Sequence, residues 1–93
     1  MSLESAVKIK LRAYLKEIGA YYYMPVKMAY GSRSVDFLVC WRGRFYGIET
    51  KRTGEVPTNM QCCTMREIAE AGGGVWCEDS EGLETTRERL RAL

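Results

Sequence analysis

An α/β fold, a mixed β-sheet flanked by helices in the order α-β-β-β-α-β-α, is what this 93-residue sequence predicts. Three observations carry that expectation. The first eighteen residues repeat apolar side chains at helical spacing, and a second helical segment sits between strand-like runs. The stretch 35–51 reads as a hairpin with apolar residues on both faces, as expected of a sheet covered on two sides. Hydrophobic residues make up 46% and charged residues 28%, a balance that suits a folded core and argues against disorder. The length fits one domain spanning 1–93.

The elements follow in order. Leu3, Val7, Leu11, Tyr14 and Ile18 form one stripe, so a first helix is expected from about Leu3 to Ile18, stopped by Gly19. Tyr21-Tyr22-Tyr23-Met24 is aromatic and strand-like and ends near Pro25. Its side chains alternate, which suits core packing; a dimer surface is the other reading, because Tyr and Met favour interfaces. Gly31 to Ser34 reads as a turn and Val35 to Trp41 as a second strand. Arg42-Gly43 is a tight turn, followed by a third strand from Arg44 to Lys51. A second helix is expected from about Pro57 to Ala71, with Thr58 and Gln61 at capping-box spacing. Gly72-Gly73-Gly74 ends it. Val75-Trp76-Cys77 is a short fourth strand, and Asp79 or Ser80 caps a last helix reaching Arg91.

Composition excludes much chemistry. The chain has no histidine, which removes Ser-His-Asp triads, Cys-His nucleophiles, HExxH sites and Cys₂His₂ fingers. Its four cysteines, Cys40, Cys62, Cys63 and Cys77, form no CxxC pair, and adjacent helical residues point about 100° apart. Zinc is therefore disfavoured, and the cysteines read as small reduced hydrophobes. No apolar run approaches the roughly 20 residues of a membrane span, and no secretion signal is visible, so a cytoplasmic location is expected. The 14 basic and 12 acidic residues leave a charge of only +2. Five of the basic ones, Arg33, Arg42, Arg44, Lys51 and Arg52, nevertheless fall within twenty positions.

The hairpin turn fixes a register. A two-residue turn at Arg42-Gly43 sets Trp41 opposite Arg44, Cys40 opposite Phe45, Leu38 opposite Gly47, Asp36 opposite Glu49 and Ser34 opposite Lys51. Opposed side chains share a sheet face, with β-carbons roughly 4.5–5.5 Å apart. Two carboxylates and an ammonium are thus expected side by side. A one-residue slip would put Asp36 on the other face. Like charges opposed in a sheet destabilise it unless something compensates. The candidates are a shared proton, neutralisation by Lys51, or a divalent cation. Two carboxylates, a backbone carbonyl such as that of Thr50, and waters suit Mg²⁺ or Mn²⁺. A solvated ion network is the alternative, and the apolar Leu38, Cys40 and Phe45 on the same face count against it.

Ser34-Val35-Asp36, a strand, and then Glu49-Thr50-Lys51 reproduce the spacing of the PD-(D/E)xK nuclease superfamily. More narrowly, the run from Gly31 to Gln61 resembles the VRR-NUC domain of virus-type replication-repair nucleases. Gln61 on the second helix, Glu4 early in the first, and the Gly72-Gly73-Gly74-Val75 return strand extend the resemblance over nearly the whole chain. Val35 stands where the superfamily often has proline. The resemblance implies a restriction-endonuclease-like fold and a stand-alone member of the kind phages encode, acting in the host cytoplasm. It implies a metal-dependent DNA endonuclease, structure-selective in the manner of Holliday junction resolvases, working as a homodimer on branched DNA. Asp36 and Glu49 would hold Mg²⁺ or Mn²⁺, joined by the Thr50 carbonyl. Lys51 would orient or deprotonate the attacking water, or stabilise transition-state charge. Gln61 would hold a water or the metal's shell, and Glu4 would be an outer or second-metal ligand. Arg33, Arg42, Arg44 and Arg52 would neutralise DNA phosphates. Glu4 also reads as a helix-dipole residue, Gln61 as a cap partner and the arginines as solvated rim charges. A catalytically silent nucleic-acid-binding module and a small protein-interaction domain are the rival readings.

Overall fold

The structure, a computed structural model, describes residues 2–26 and 35–91. The expected turn from Gly31 to Ser34, with Arg33 in it, lies outside those residues. The order is α1 (Glu4–Ile18), β1 (Tyr21–Tyr23), β2 (Phe37–Trp41), β3 (Arg44–Thr50), α2 (Asn59–Glu70), β4 (Gly74–Glu78) and α3 (Glu84–Arg91). The four strands form one sheet in sequence order. β1, β2 and β3 run antiparallel, and β4 joins β3 in parallel, so the sheet is mixed as expected. Among the described residues, no helix is long and apolar enough to cross a membrane.

One sheet face carries the core. Val7, Leu11 and Leu15 of α1 and Leu90 of α3 close over Phe37, Val39, Tyr46, Ile48 and Trp76. The α1 stripe sits one position away from part of the expected one, because Leu15 is fully buried while Leu3 is exposed. Gly19 ends α1 at φ 81°, a left-handed conformation that glycine adopts without a Cβ clash. α2 lies on the opposite face and buries none of its residues completely. Its Ile68 approaches Gly47 so closely that a β-carbon there would sit 2.7 Å from Ile68 Cδ1. Gly47 therefore lets the helix settle on β3.

The capping box is present. The Thr58 hydroxyl accepts from the Gln61 N–H at 3.2 Å, and Gln61 Oε1 accepts from the Thr58 N–H at 2.8 Å. With so little of α2 buried, this cap matters to the helix. Thr58→Ala is expected to lower stability by about 1 kcal/mol, read as a lower urea midpoint at unchanged slope.

Two expectations need correction. The last helix starts at Glu84, not after Asp79 or Ser80. Residues 80–83 close a turn instead, with the Leu83 N–H donating to the Ser80 carbonyl, and Leu83 enters the core. The group that caps the helix is Glu78 on β4, whose Oε1 accepts the Thr86 N–H at 2.8 Å. The cysteines also differ from the buried hydrophobes expected, since Cys40, Cys62 and Cys63 are exposed and Cys77 is half-buried.

Candidate active site

The hairpin turn produces the register that the sequence implies. Arg42 and Gly43 both have positive φ, 51° and 77°, the signature of a turn whose twist matches the flanking strands. Trp41 pairs with Arg44, Cys40 with Phe45, Leu38 with Gly47 and Phe37 with Ile48. The ladder stops there. Phe37 packs in the α1 core, yet Val35 approaches Gly47 from the α2 side, with Val35 Cγ2 3.3 Å from where a Gly47 β-carbon would be. Residues two apart in a regular strand share a face. The alternation is therefore broken at Asp36, which sits in a bend.

Asp36 and Glu49 consequently meet by direct hydrogen bonding instead of as ladder partners. The Asp36 N–H donates to Glu49 Oε1 at 2.9 Å. Asp36 Oδ2 accepts two bonds from Thr50, from its N–H at 2.9 Å and its hydroxyl at 2.7 Å. The other oxygen of each carboxylate faces an ammonium. Lys51 Nζ is 4.0 Å from Glu49 Oε2, and Lys8 Nζ is 3.7 Å from Asp36 Oδ1. Asp36, Glu49, Thr50 and Lys51 are all buried, Glu49 at 1% exposure. Carboxylates so withdrawn from water persist only when paired and hydrogen-bonded, and both are.

The other site residues expected from the sequence are placed as follows. Glu4 lies in the first turn of α1, with Oε2 3.8 Å from Lys8 Nζ. Lys8 thus stands between Glu4 and Asp36. Gln61 is at the start of α2, with its carbonyl oxygen engaged in the cap. Arg52 is exposed and ion-paired with Glu55 at 2.9 Å. Arg42 stacks on Trp41 and Arg44 lies over Tyr46, both at the turn end of the hairpin. Five residue steps of strand separate Arg44 from Glu49, roughly 16 Å at strand rise. Arg33 lies outside the described residues.

The chain start is tied to this end of the sheet. Ser2 and Thr53 exchange backbone and side-chain bonds, the Thr53 hydroxyl donates to the Asp79 carbonyl, and the Glu81 N–H donates to the Ser2 hydroxyl. These links hold the first two turns of α1, which carry Glu4 and Lys8, beside the Asp36 carboxylate. Lys8 was not singled out from the sequence; its position one helical turn after Glu4 is the signal that could have found it.

Oxygen donors dominate the site. Asp36 and Glu49 could hold a hard cation that keeps several waters, as Mg²⁺ does when bound through one or two carboxylates. Among the described residues, no group of three His, Cys, Asp or Glu side chains is placed to hold a metal ion. The donor set thus fits a hydrated ion and not an all-protein cage. Cys77 is the ladder partner of Glu49. Burial pushes its thiol up to about 11, with the Asp79 and Glu49 charges adding to the effect. It stays protonated at neutral pH, and the thiolate is the reactive form. Iodoacetamide at pH 8 is therefore expected to modify Cys40, Cys62 and Cys63 well before Cys77, read by peptide mass spectrometry; equal rates would contradict this.

The chain matches no protein-family model, and no curated protein matches it. Among solved structures, one described as a VRR_NUC domain superposes with a TM-score of 0.75 at 18% identity. The match covers 92% of this chain and 94% of that one. At that identity the likeness establishes the fold. The sheet, its helices and their order are those of a VRR_NUC domain.

Proposed function

We propose that this chain, built on the VRR_NUC fold, is a metal-dependent DNA endonuclease that selects branched structures such as four-way junctions and acts as a homodimer. One observation carries the reading. Two buried carboxylates, Asp36 and Glu49, are brought together by a 2.9 Å bond from the Asp36 backbone N–H to Glu49 Oε1, with the Lys51 ammonium 4.0 Å from Glu49 Oε2. Replacing buried charge clusters with apolar side chains is often neutral or stabilising, so such a cluster is a functional-site candidate.

Asp36 and Glu49 would hold Mg²⁺ or Mn²⁺, with the Thr50 carbonyl completing the protein's share. Such an ion neutralises phosphate charge and makes a water more acidic. The residues supply orientation. Thr50 fixes Asp36 through two bonds, so that carboxylate needs little rearrangement. Lys51, anchored by its N–H to the Glu78 carbonyl at 3.0 Å, presents its ammonium beside Glu49 to aim the water or to offset charge on the phosphate. Gln61 has its carbonyl engaged by Thr58, which leaves its amide to donate toward a water. Glu4 would join as an outer or second-metal ligand. Arg42, Arg44 and Arg52, together with Arg33, would follow the DNA backbone and make binding salt-sensitive.

A row of exposed side chains supports pairing of two copies. Tyr21 lies opposite Cys40, and Cys40 opposite Phe45. Tyr21 is 71% exposed and Phe45 46%, on the sheet face that α2 covers only in part. Aromatic surface of this kind is enriched at interfaces.

The test is a panel of four-way junctions, flaps, splayed arms and nicked duplex, incubated with Mg²⁺, Mn²⁺ or EDTA, beside a light-scattering mass. Cutting of the junction that EDTA stops, from a particle of twice the chain mass, is expected. Binding without cutting favours the silent module. Neither binding nor cutting favours a protein-interaction domain.

A further inference from the structure

Lys8 has no part in the reading above, yet its ammonium lies between two carboxylates. It is 3.8 Å from Glu4 Oε2 on its own helix and 3.7 Å from Asp36 Oδ1 on the adjoining strand end. Both distances exceed the roughly 2.7–3.2 Å of a direct hydrogen bond. The group is therefore held by charge and not by tight bonds. Its side chain is one-third exposed, whereas that of Asp36 is almost wholly buried. A lysine head on a flexible four-carbon stem can leave toward water; the aspartate, bound twice by Thr50, cannot.

We infer that Lys8 is a displaceable stand-in for the divalent ion: its ammonium balances Asp36 and Glu4 while the ion is absent and swings out when the ion binds. The inference rests on the metal-dependent reading. The physical reason is charge balance. Glu4 and Asp36 place a negative charge on either side of the Lys8 ammonium. A divalent cation placed beside Asp36 repels an ammonium at that distance, and the half of the pair free to move is Lys8. The ammonium thus competes with the ion for one oxygen. It offsets part of the charge of the buried Asp36 carboxylate, and it weakens resting metal affinity. Lys51 is placed differently, being buried and paired with Glu49, and stays with the site. Lys8 is a positioning residue in this scheme, setting the affinity and the moment of ion uptake.

Mn²⁺ titrations followed by the paramagnetic resonance of the free ion test this without any cleavage assay. Lys8→Met should bind Mn²⁺ about tenfold more tightly than wild type, because a nearby charge alters binding of another by about that factor. Lys8→Arg, which keeps the charge, should stay near the wild-type value, and Asp36→Asn should lose most binding. A Lys8→Met affinity equal to or weaker than wild type overturns the stand-in role. If the wild type itself takes up no Mn²⁺, the metal-dependent reading falls and this inference with it, an outcome distinct from the previous one. Should Lys8→Met not fold, the wild-type chain still decides the matter. With lysines carrying ¹³C-dimethyl labels, the Lys8 resonance, assigned with Lys8→Arg, should move on addition of Mg²⁺. An unmoved Lys8 signal in the presence of a bound ion overturns the inference.

Discussion

Lys51→Ala is expected to reduce Mg²⁺-dependent cleavage of a four-way junction by about a thousandfold, the usual scale for losing one positioned proton-transfer or charge-stabilising group. DNA binding should change only a few-fold, because one ammonium among several basic groups contributes about one unit of salt dependence. The split follows from position. Lys51 is buried at the end of β3, fastened through its N–H to Glu78, with its side chain directed at Glu49. It is therefore poorly placed to contribute through long-range attraction and well placed to act on one atom. Cleavage rate and gel-shift affinity, measured on the same preparation with Lys51→Arg alongside, separate the two effects. A variant that loses binding and cutting in equal measure would make Lys51 a plain phosphate contact. One that cuts as fast as wild type would remove it from the chemistry.

The second large effect concerns Asp36. Mn²⁺ at tenfold its dissociation constant should stabilise the wild type by about 1.4 kcal/mol, which corresponds to roughly 6–10 °C in Tm for a domain of this size. Asp36→Asn should show almost none of that shift. The substitution keeps an acceptor for the Thr50 N–H and hydroxyl, so the fold should survive. What it removes is the negative charge that faces Lys8 and, on the proposed reading, would bind the ion. In the absence of metal the variant should lie within about 1–2 kcal/mol of wild type. Calorimetry with Mn²⁺ and with EDTA checks both statements. Equal shifts in the two proteins would dismiss Asp36 as a ligand.

Most of the β-hairpin could be read from the chain because short-range rules govern it. Arg42-Gly43 allows a two-residue turn, and such a turn leaves a single register for Trp41 through Phe37. The capping box of Thr58 and Gln61 is equally local, spanning three residues, and so is the Gly19 stop. The start of α3 was not legible, because its cap comes from Glu78 on a neighbouring strand while Ser80 turns back on itself. The break at Asp36 was not legible either. Strand alternation alone extends the ladder one pair further, to Glu49, and only the packing of Val35 against the Gly47 side shows where the alternation fails. The place of Lys8 was not legible for a related reason. On α1 it reads as one exposed lysine among several, and its relation to Asp36 spans 28 positions of sequence and two different elements.

The sequence by itself determined the order of elements, the hairpin register and the gathering of Asp36, Glu49 and Lys51 at one strand end, because turn geometry and the two-residue period of a strand act over neighbouring residues. The tertiary structure alone decided how those groups are held. It bent the chain at Asp36, turned Thr50 onto that carboxylate, and brought α1 alongside with Lys8. Those outcomes depend on how the apolar faces of separate elements close over one another, and the resulting fit cannot be read from any single stretch of the chain.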